Sequence, residues 1–274
     1  MPTFRSSIFA AAASAAVCAH ASAQTVRING ADIHYEIRGA GEPLLLLHGF
    51  GSCGRQTWAP YIDRLGARYR LIIPDMRGHG ASTNPSANFT HRQAAFDMLG
   101  LLDSLGIQRV RAIGASSGGM TLLHMATQQP ARVEAMILVD ATSYFPAEAR
   151  RFMRALKPDS LPTEFVREGS ECATRGESQI RELAAQFNAF KDSYDDMNFT
   201  PPLLGTIRAR TLVVHGDRDP FFPVAIPVEM YQSIPRASLW IVPNAGHEGP
   251  MAPQTKDLFL DVALAFLGNT QQRP

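Results

Sequence analysis

The sequence predicts an α/β protein: a doubly wound, mostly parallel sheet interrupted by an inserted helical cap. Three observations carry this. Continuous apolar runs alternate with helix-period segments from residue 43 to 140, the order that builds parallel strands joined by crossover helices. Between residues 141 and 204 the strand-type runs vanish and helical periodicity alone remains. The alternation then resumes and lasts to about residue 267. With 274 residues and 45% hydrophobic composition, the chain can bury one large core carrying an insertion.

In chain order, residues 1–23 read as a secretory signal, with Arg5 as the positive head, residues 8–18 as an alanine-rich apolar core, and Ala21-Ser22-Ala23 as the small-x-small cleavage site. The apolar core of about 11 residues falls short of the ~20 that span a bilayer. The mature chain is expected to start at Gln24 with no stable membrane anchor, since Val17 is a poor neighbour for a lipidated Cys18. Residues 25–37 alternate around Asn29-Gly30, an opening antiparallel hairpin. Residues 43–49 and 70–75, a short run opening at Val110, and residues 135–140 are apolar runs suited to buried strands of a parallel sheet. Between the second and third lies a helix over 89–106, with Thr90 and Gln93 spaced as a capping box and Gly106 as its stop. Cap helices are expected over 147–156, 164–173 and 179–190. Beyond them come a strand at 211–216, a helix near 224–234, a strand at 238–242 and a closing amphipathic helix over 255–267. The implied division is a core of residues 24–140 and 205–274 with a cap of 141–204.

Charge is balanced at +1 for the full chain. It becomes net 0 without the first 23 residues, whose one charged side chain is Arg5. No basic run or acidic tail appears, which argues against a nucleic-acid partner. Cys53 and Cys172 remain after the signal; in an oxidising compartment they can pair or stand as two thiols. The histidines are scattered without metal-ligand spacing, so neither metal nor cofactor is expected.

The chemistry centres on residues 110–120, where a strand-type run enters a helix through Gly114-x-Ser116-x-Gly118. This is the form of a nucleophile elbow, a turn so tight that small residues must flank the serine. The overlapping Ala115-x-Ser117-x-Gly119 also fits; two glycines favour Ser116. A serine hydroxyl needs a base, commonly a histidine held by a carboxylate. Asp219 and His247 each lie in a turn just after a buried strand, and in a parallel sheet such turns gather at one rim. Asp217 and Asp140 are the competing carboxylates.

The order Ser116, Asp219, His247, with His48-Gly49-Phe50-Gly51 after the first buried strand and residues 74–82 after the next, resembles the α/β-hydrolase superfamily across residues 25–268, in its serine esterase and lactonase-like, capped branch. The resemblance implies Ser116 as nucleophile, His247 as general base and then acid, Asp219 as the orienting carboxylate, and the backbone N–H groups of Phe50 and Ser117 as the oxyanion hole. It casts His48 and His79 as structural, with Asp75 and Arg77 as polar partners of their turn. Arg150, Arg151 and Arg154 read as a solvated face. Phe50, Met120, Phe145, Phe221, Phe222 and Met251 can line an acyl pocket or be ordinary core. A serine at the elbow sets aside branches of the superfamily that use aspartate or cysteine there. The expectation is a periplasmic or secreted hydrolase of small to medium carboxylic esters or lactones, a small-molecule enzyme. Alternatives are cleavage of a C–C bond in vinylogous diketones, a haloperoxidase-like perhydrolase, and a ligand-binding receptor that keeps its triad.

Overall fold

The computed structural model describes residues 22–269. The signal segment lies outside the described residues, apart from Ser22 and Ala23, which begin β1 (Ser22–Ile28). This strand pairs antiparallel with β2 (Ala31–Arg38) through the Asn29-Gly30 turn, where both residues have positive φ, 46° and 80°. That is the backbone an Asn-Gly hairpin supplies at least cost. Then follow β3 (Glu42–Leu47), α1 (Gly54–Trp58), α2 (Ile62–Gly66), β4 (Tyr69–Pro74), α3 (His91–Ser104), β5 (Val110–Ala115), α4 (Ser117–Gln128) and β6 (Val133–Val139). The cap region contributes α5 (Ala147–Ala155), α6 (Thr163–Ser170), α7 (Glu177–Ala189) and α8 (Pro201–Leu204). The chain closes with β7 (Arg210–Gly216), α9 (Ala225–Ser233), β8 (Ala237–Val242) and α10 (Lys256–Gly268).

The eight strands form one sheet in the order β1-β2-β4-β3-β5-β6-β7-β8, parallel from β4 to β8. The apolar runs behave as a two-faced sheet requires. In β3, Leu45 and Leu47 enter one core with α3, α4 and α9, while Leu44 and Leu46 enter the other with α1, α2 and α10. All four are fully buried, each worth about 1.5–3 kcal/mol against exposure. A polar residue anywhere in the run would be stranded on one face or the other, so the run stays apolar throughout.

Residues 51–68 carried no sequence expectation, and they hold two short helices whose Trp58 and Leu65 are fully buried beneath the sheet. The Thr90 cap forms by half. Its Oγ1 accepts the Gln93 N–H at 3.0 Å, but the Gln93 amide reaches forward to Asp97 Oδ1 rather than back. Arg150 departs from the expected solvated face. It is 7% exposed and donates to the carbonyls of Phe145, Phe190, Lys191 and Ser193, pinning the loop after α7 to α5. Arg151 and Arg154 are exposed. The sequence could not separate them, because Arg150 finds its partners about 40 residues downstream.

Cys53 and Cys172 form a disulfide that closes a 119-residue separation and fastens the loop after β3 to the end of α6. Crosslinks of this kind add about 2–4 kcal/mol, chiefly by restricting the unfolded chain. Denatured, unreduced protein is therefore expected to show no titratable thiol, and reduction to lower the Tm by roughly 5–15 °C. Two thiols counted before reduction would show the bond absent.

Candidate active site

Strand β5 delivers the serine. Ser116 follows its last residue and adopts φ 48°, ψ −115°, a conformation uncommon for a residue with a side chain. The turn closes because Gly114 and Gly118 meet with nothing between them. A Cβ on Gly114 would lie 2.5 Å from Gly118 backbone, and one on Gly118 would lie 2.4 Å from Leu47 O. Ser116 is the apex, while Ser117 is the first residue of α4, with its hydroxyl directed inward.

The turns after β7 and β8 bring the partners. Arg218 N–H donates to Ala245 O, Asp217 N–H to Val242 O, and a Cβ on Gly216 would lie 2.4 Å from Ala245 O, so the two turns are packed backbone on backbone. His247 Nδ1 then lies 2.7 Å from Asp219 Oδ2, and His247 Nε2 lies 3.0 Å from Ser116 Oγ. With Nδ1–H donated to the carboxylate, Nε2 carries the lone pair and accepts the Ser116 hydroxyl proton. The other Asp219 oxygen accepts the N–H groups of Phe221 and Phe222 at 2.7 and 3.2 Å. Burial opposes charge on Asp219, but the His247 hydrogen bond and charge, with those two N–H groups, outweigh it and hold the pKa below the ordinary carboxylate value. Burial likewise opposes charge on His247; the Asp219 bond and the charges of Asp219, Asp140 and Glu248 prevail and raise its pKa.

Asp140 sits close by without joining this chain. Its Oδ1 accepts Gly216 N–H at 2.9 Å and its Oδ2 accepts Glu248 N–H at 2.8 Å, so it ties the end of β6 to the turns of both partners. Asp140, Asp219 and His247 could each turn an atom toward a shared cation. Both Asp140 oxygens, however, already take backbone N–H groups, which are no ligand-ready arrangement. Asp217 makes no hydrogen bond or ion pair with His247 among the described residues.

Ser117 N–H has no acceptor inside its own helix, being at the first position. The turn carrying Phe50 also borders the serine, since a Cβ on Gly49 would lie 3.7 Å from Ser116 Cβ. His48 shapes that turn. It is fully buried, Nε2 accepts Met76 N–H at 2.9 Å and Nδ1–H donates to Gly49 O at 2.7 Å. Burial lowers its pKa against the opposing charge of Asp75. His79 is driven to about 3, by burial and then by His48. Both histidines are neutral scaffolding. Asp75 accepts Gly54 and Ala81 N–H groups, and Arg77 is paired with buried Asp97.

A cavity of about 330 Å³ opens on Ser116 and is lined by seven phenylalanines, with Met120, Ala149 and Met153. Phe50, Phe145, Phe221 and Phe222 are among them; Met251 lines a neighbouring cavity instead. Three contributors were not legible in the sequence. Phe187 and Phe190 reach the cavity from the cap, where they were legible only as a helical apolar stripe. A second relay also escaped notice: Ser117 Oγ lies 3.1 Å from His91 Nε2, and His91 Nδ1 lies 2.7 Å from Asp196 Oδ2. All three are buried, and Asp196 also accepts the N–H groups of His91 and Arg92. Burial resists charge on Asp196, yet the His91 bond and charge bring its pKa down to about 2. No local signal reveals this pair, because 105 residues separate its members. Glu248, beside the imidazole, is the third.

Residues 42–168 match the family described as alpha/beta hydrolase fold. Serine hydrolase BPHL of Mus musculus is 29% identical over 231 residues, which are 81% of this chain and 79% of that protein. The 2-hydroxy-6-oxo-6-phenylhexa-2,4-dienoate hydrolase of Comamonas testosteroni is 28% identical over 265 residues, 86% of this chain and 91% of that one. A solved meta-cleavage product hydrolase from Pseudomonas fluorescens shares the fold with TM-score 0.76 at 21% identity, covering 90% of this chain and 98% of that one.

Ser116→Ala is expected to remove hydrolytic turnover by up to about a million-fold with the fold intact, while Ser117→Ala keeps most of it. The opposite outcome would move the nucleophile. Asp219→Asn should cost about ten-thousand-fold at near-unchanged Tm, whereas Asp140→Asn should lower the Tm by loosening the rim. Because His247 must be neutral to act as base, kcat/KM should rise with pH through an apparent pKa above the ordinary 6.5 of histidine. The residual activity of Asp219→Asn should titrate lower, having lost the Asp219 carboxylate that raises it most; an unmoved pH profile would detach Asp219 from the imidazole.

Proposed function

Since this chain belongs to the α/β-hydrolase superfamily, we propose that it is a serine hydrolase of small to medium carboxylic esters or lactones, acting through an acyl-enzyme on Ser116. The observation that carries the proposal is the continuous hydrogen-bonded line from Asp219 through His247 to Ser116 at the mouth of an apolar cavity. Ser116 Oγ attacks the carbonyl carbon as its proton passes to His247 Nε2. Phe50 and Ser117 N–H groups receive the oxyanion. His247 then returns the proton to the departing oxygen, and water attacks the acyl-enzyme by the same route.

The relatives' names include a dienoate hydrolase, which makes C–C cleavage the competing reading. A dienoate carries a carboxylate, and the lining here is poor in cations to meet it. Among the described residues, no lysine or arginine lines the Ser116 cavity, which Glu168 and Glu248 border. Arg167 lines the adjoining cavity, but it donates to Glu164 and lies 3.8 Å from Glu168. Neutral esters fit this lining better than carboxylate-bearing diketones. We further propose export, for which the N-terminal segment and the Cys53–Cys172 bond are the support.

A cavity of about 330 Å³ is at the small end of ligand pockets, about 300–1,000 Å³. Each buried acyl methylene adds about 0.8 kcal/mol until the space is filled, after which added length turns unfavourable. Across aryl esters from acetate to palmitate, kcat/KM is expected to peak at short to medium acyl groups, with benzoyl accepted among the aromatic rings. A palmitate optimum would reject the closed cavity. Turnover confined to a vinylogous diketone acid would reject ester hydrolysis.

A further inference from the structure

The cavity at Ser116 does not stand alone. Phe50, Phe165, Glu168, His247 and Glu248 line it and also line a larger cavity of about 690 Å³ that runs outward beneath α6. Ser116 borders only the inner space, whereas His247 borders both. In acyl transfer the imidazolium must reach the departing oxygen. The half of the substrate that departs therefore extends on the His247 side, into the outer chamber, and the acyl half stays among the inner rings.

The outer chamber has an uneven charge. Its acidic lining residues are Glu168, Glu171 and Glu248, set against Arg167, His247 and Tyr61. Arg167 is engaged by Glu164, Glu171 accepts the Gln56 amide at 2.7 Å, and the Tyr61 hydroxyl is spent on Met251 O. Glu248 differs from these. Among the described residues its carboxyl makes no hydrogen bond or ion pair, and the group remains accessible from the cavity although protein surrounds it. Its placement is built. The residue holds left-handed backbone, φ 58°, with its N–H on Asp140 Oδ2, and a Cβ on Gly49 would lie 2.7 Å from Glu248 Oε1. The carboxyl is thereby wedged between the turn after β3 and His247, at the junction of the two chambers. Enclosure raises its pKa; the adjacent His247 charge opposes this, and the negative charges of Asp140 and Asp219 add to it. A positive group arriving in the chamber would relieve both.

We propose, resting on the ester-hydrolase reading, that the outer chamber takes the alcohol half of the substrate and that Glu248 selects a cationic one, an ester of an amino or quaternary-ammonium alcohol. Ser116 Oγ forms the new acyl C–O bond and its proton goes to His247. The C–O bond to the ammonium alcohol breaks, His247 returns that proton to the alcohol oxygen, and water completes the cycle at the acyl carbon. Glu248 stays outside these bond changes and acts on the charge two to three atoms beyond the departing oxygen.

A matched pair of butyrate esters tests this, the 2-(trimethylammonio)ethyl ester and its uncharged 3,3-dimethylbutyl isostere. Wild-type kcat/KM is expected to favour the cation by about fivefold at low salt, the size of one ion pair open to cavity water, and less as salt screens it. In Glu248→Gln the ratio should fall to about one, with the fold checked by Tm. A wild-type ratio at or below one, or a ratio unmoved in Glu248→Gln, overturns the assignment. Calorimetric binding of both esters to Ser116→Ala protein separates the two readings. Preferential binding of the cation without wild-type hydrolysis would reject ester hydrolysis and keep Glu248 as the selector; equal binding with hydrolysis of both would do the reverse.

Discussion

The rim of the sheet depends on one buried carboxylate. Asp140 ends β6 with left-handed backbone, and each of its oxygens holds a backbone N–H from a different segment, Gly216 after β7 and Glu248 after β8. A buried charge is tolerated when its lone pairs are met in this way. Its effect is to bring three strand ends to a common level, and the side chains that leave those ends inherit the alignment. Asp219 and His247 meet because the backbones carrying them are already fastened. Asp140 thus governs the geometry of a contact in which it takes no part, and it adds to the charge that keeps His247 basic.

The second constraint is the absence of side chains at the elbow. Gly114 and Gly118 close the space under Ser116, and the strained φ of the serine is the price of presenting its hydroxyl above the sheet. Ser117, one residue on, has a histidine and an aspartate of its own, but those partners lie inside the protein and lead to the cap. Two neighbouring serines with similar partners therefore serve opposite ends. Ser116 faces the cavity, and Ser117 with His91 joins the floor of that cavity to Asp196 in the segment that precedes α8.

The roof is likewise held at several points. The Cys53–Cys172 bond secures α6, Arg150 gathers the carbonyls after α7, and Asp196 caps the start of α3. The aromatic lining lowers the local polarity around Ser116, which strengthens the electrostatic interactions there. The partition into an apolar inner space and an acid-lined outer one follows from which cap residues face inward, Phe187 and Phe190 over the serine, Glu168 and Glu171 toward the mouth.

What was legible in the sequence rests on local pattern and on order along the chain. Runs such as Leu44 to Leu47 declare two-sided strands because both faces must be apolar. Ser116, Asp219 and His247 could be singled out because each follows such a run, and strand ends of a parallel sheet share one rim. Residues whose meaning comes from distant partners could not be recognised that way. Arg150 looked like its solvated neighbours until four carbonyls from two segments surrounded it, the His91–Asp196 bond and the open carboxyl of Glu248 were equally silent, and Cys53 and Cys172 were legible only as a pair or as two thiols. The sequence by itself determined the buried strands, the longer helices and the chain order of the three residues at the rim, since these follow from periodicity and chain direction. The tertiary structure alone decided which charges are paired, which cysteines are joined and what each chamber can receive, because those properties arise only between segments that packing brings together.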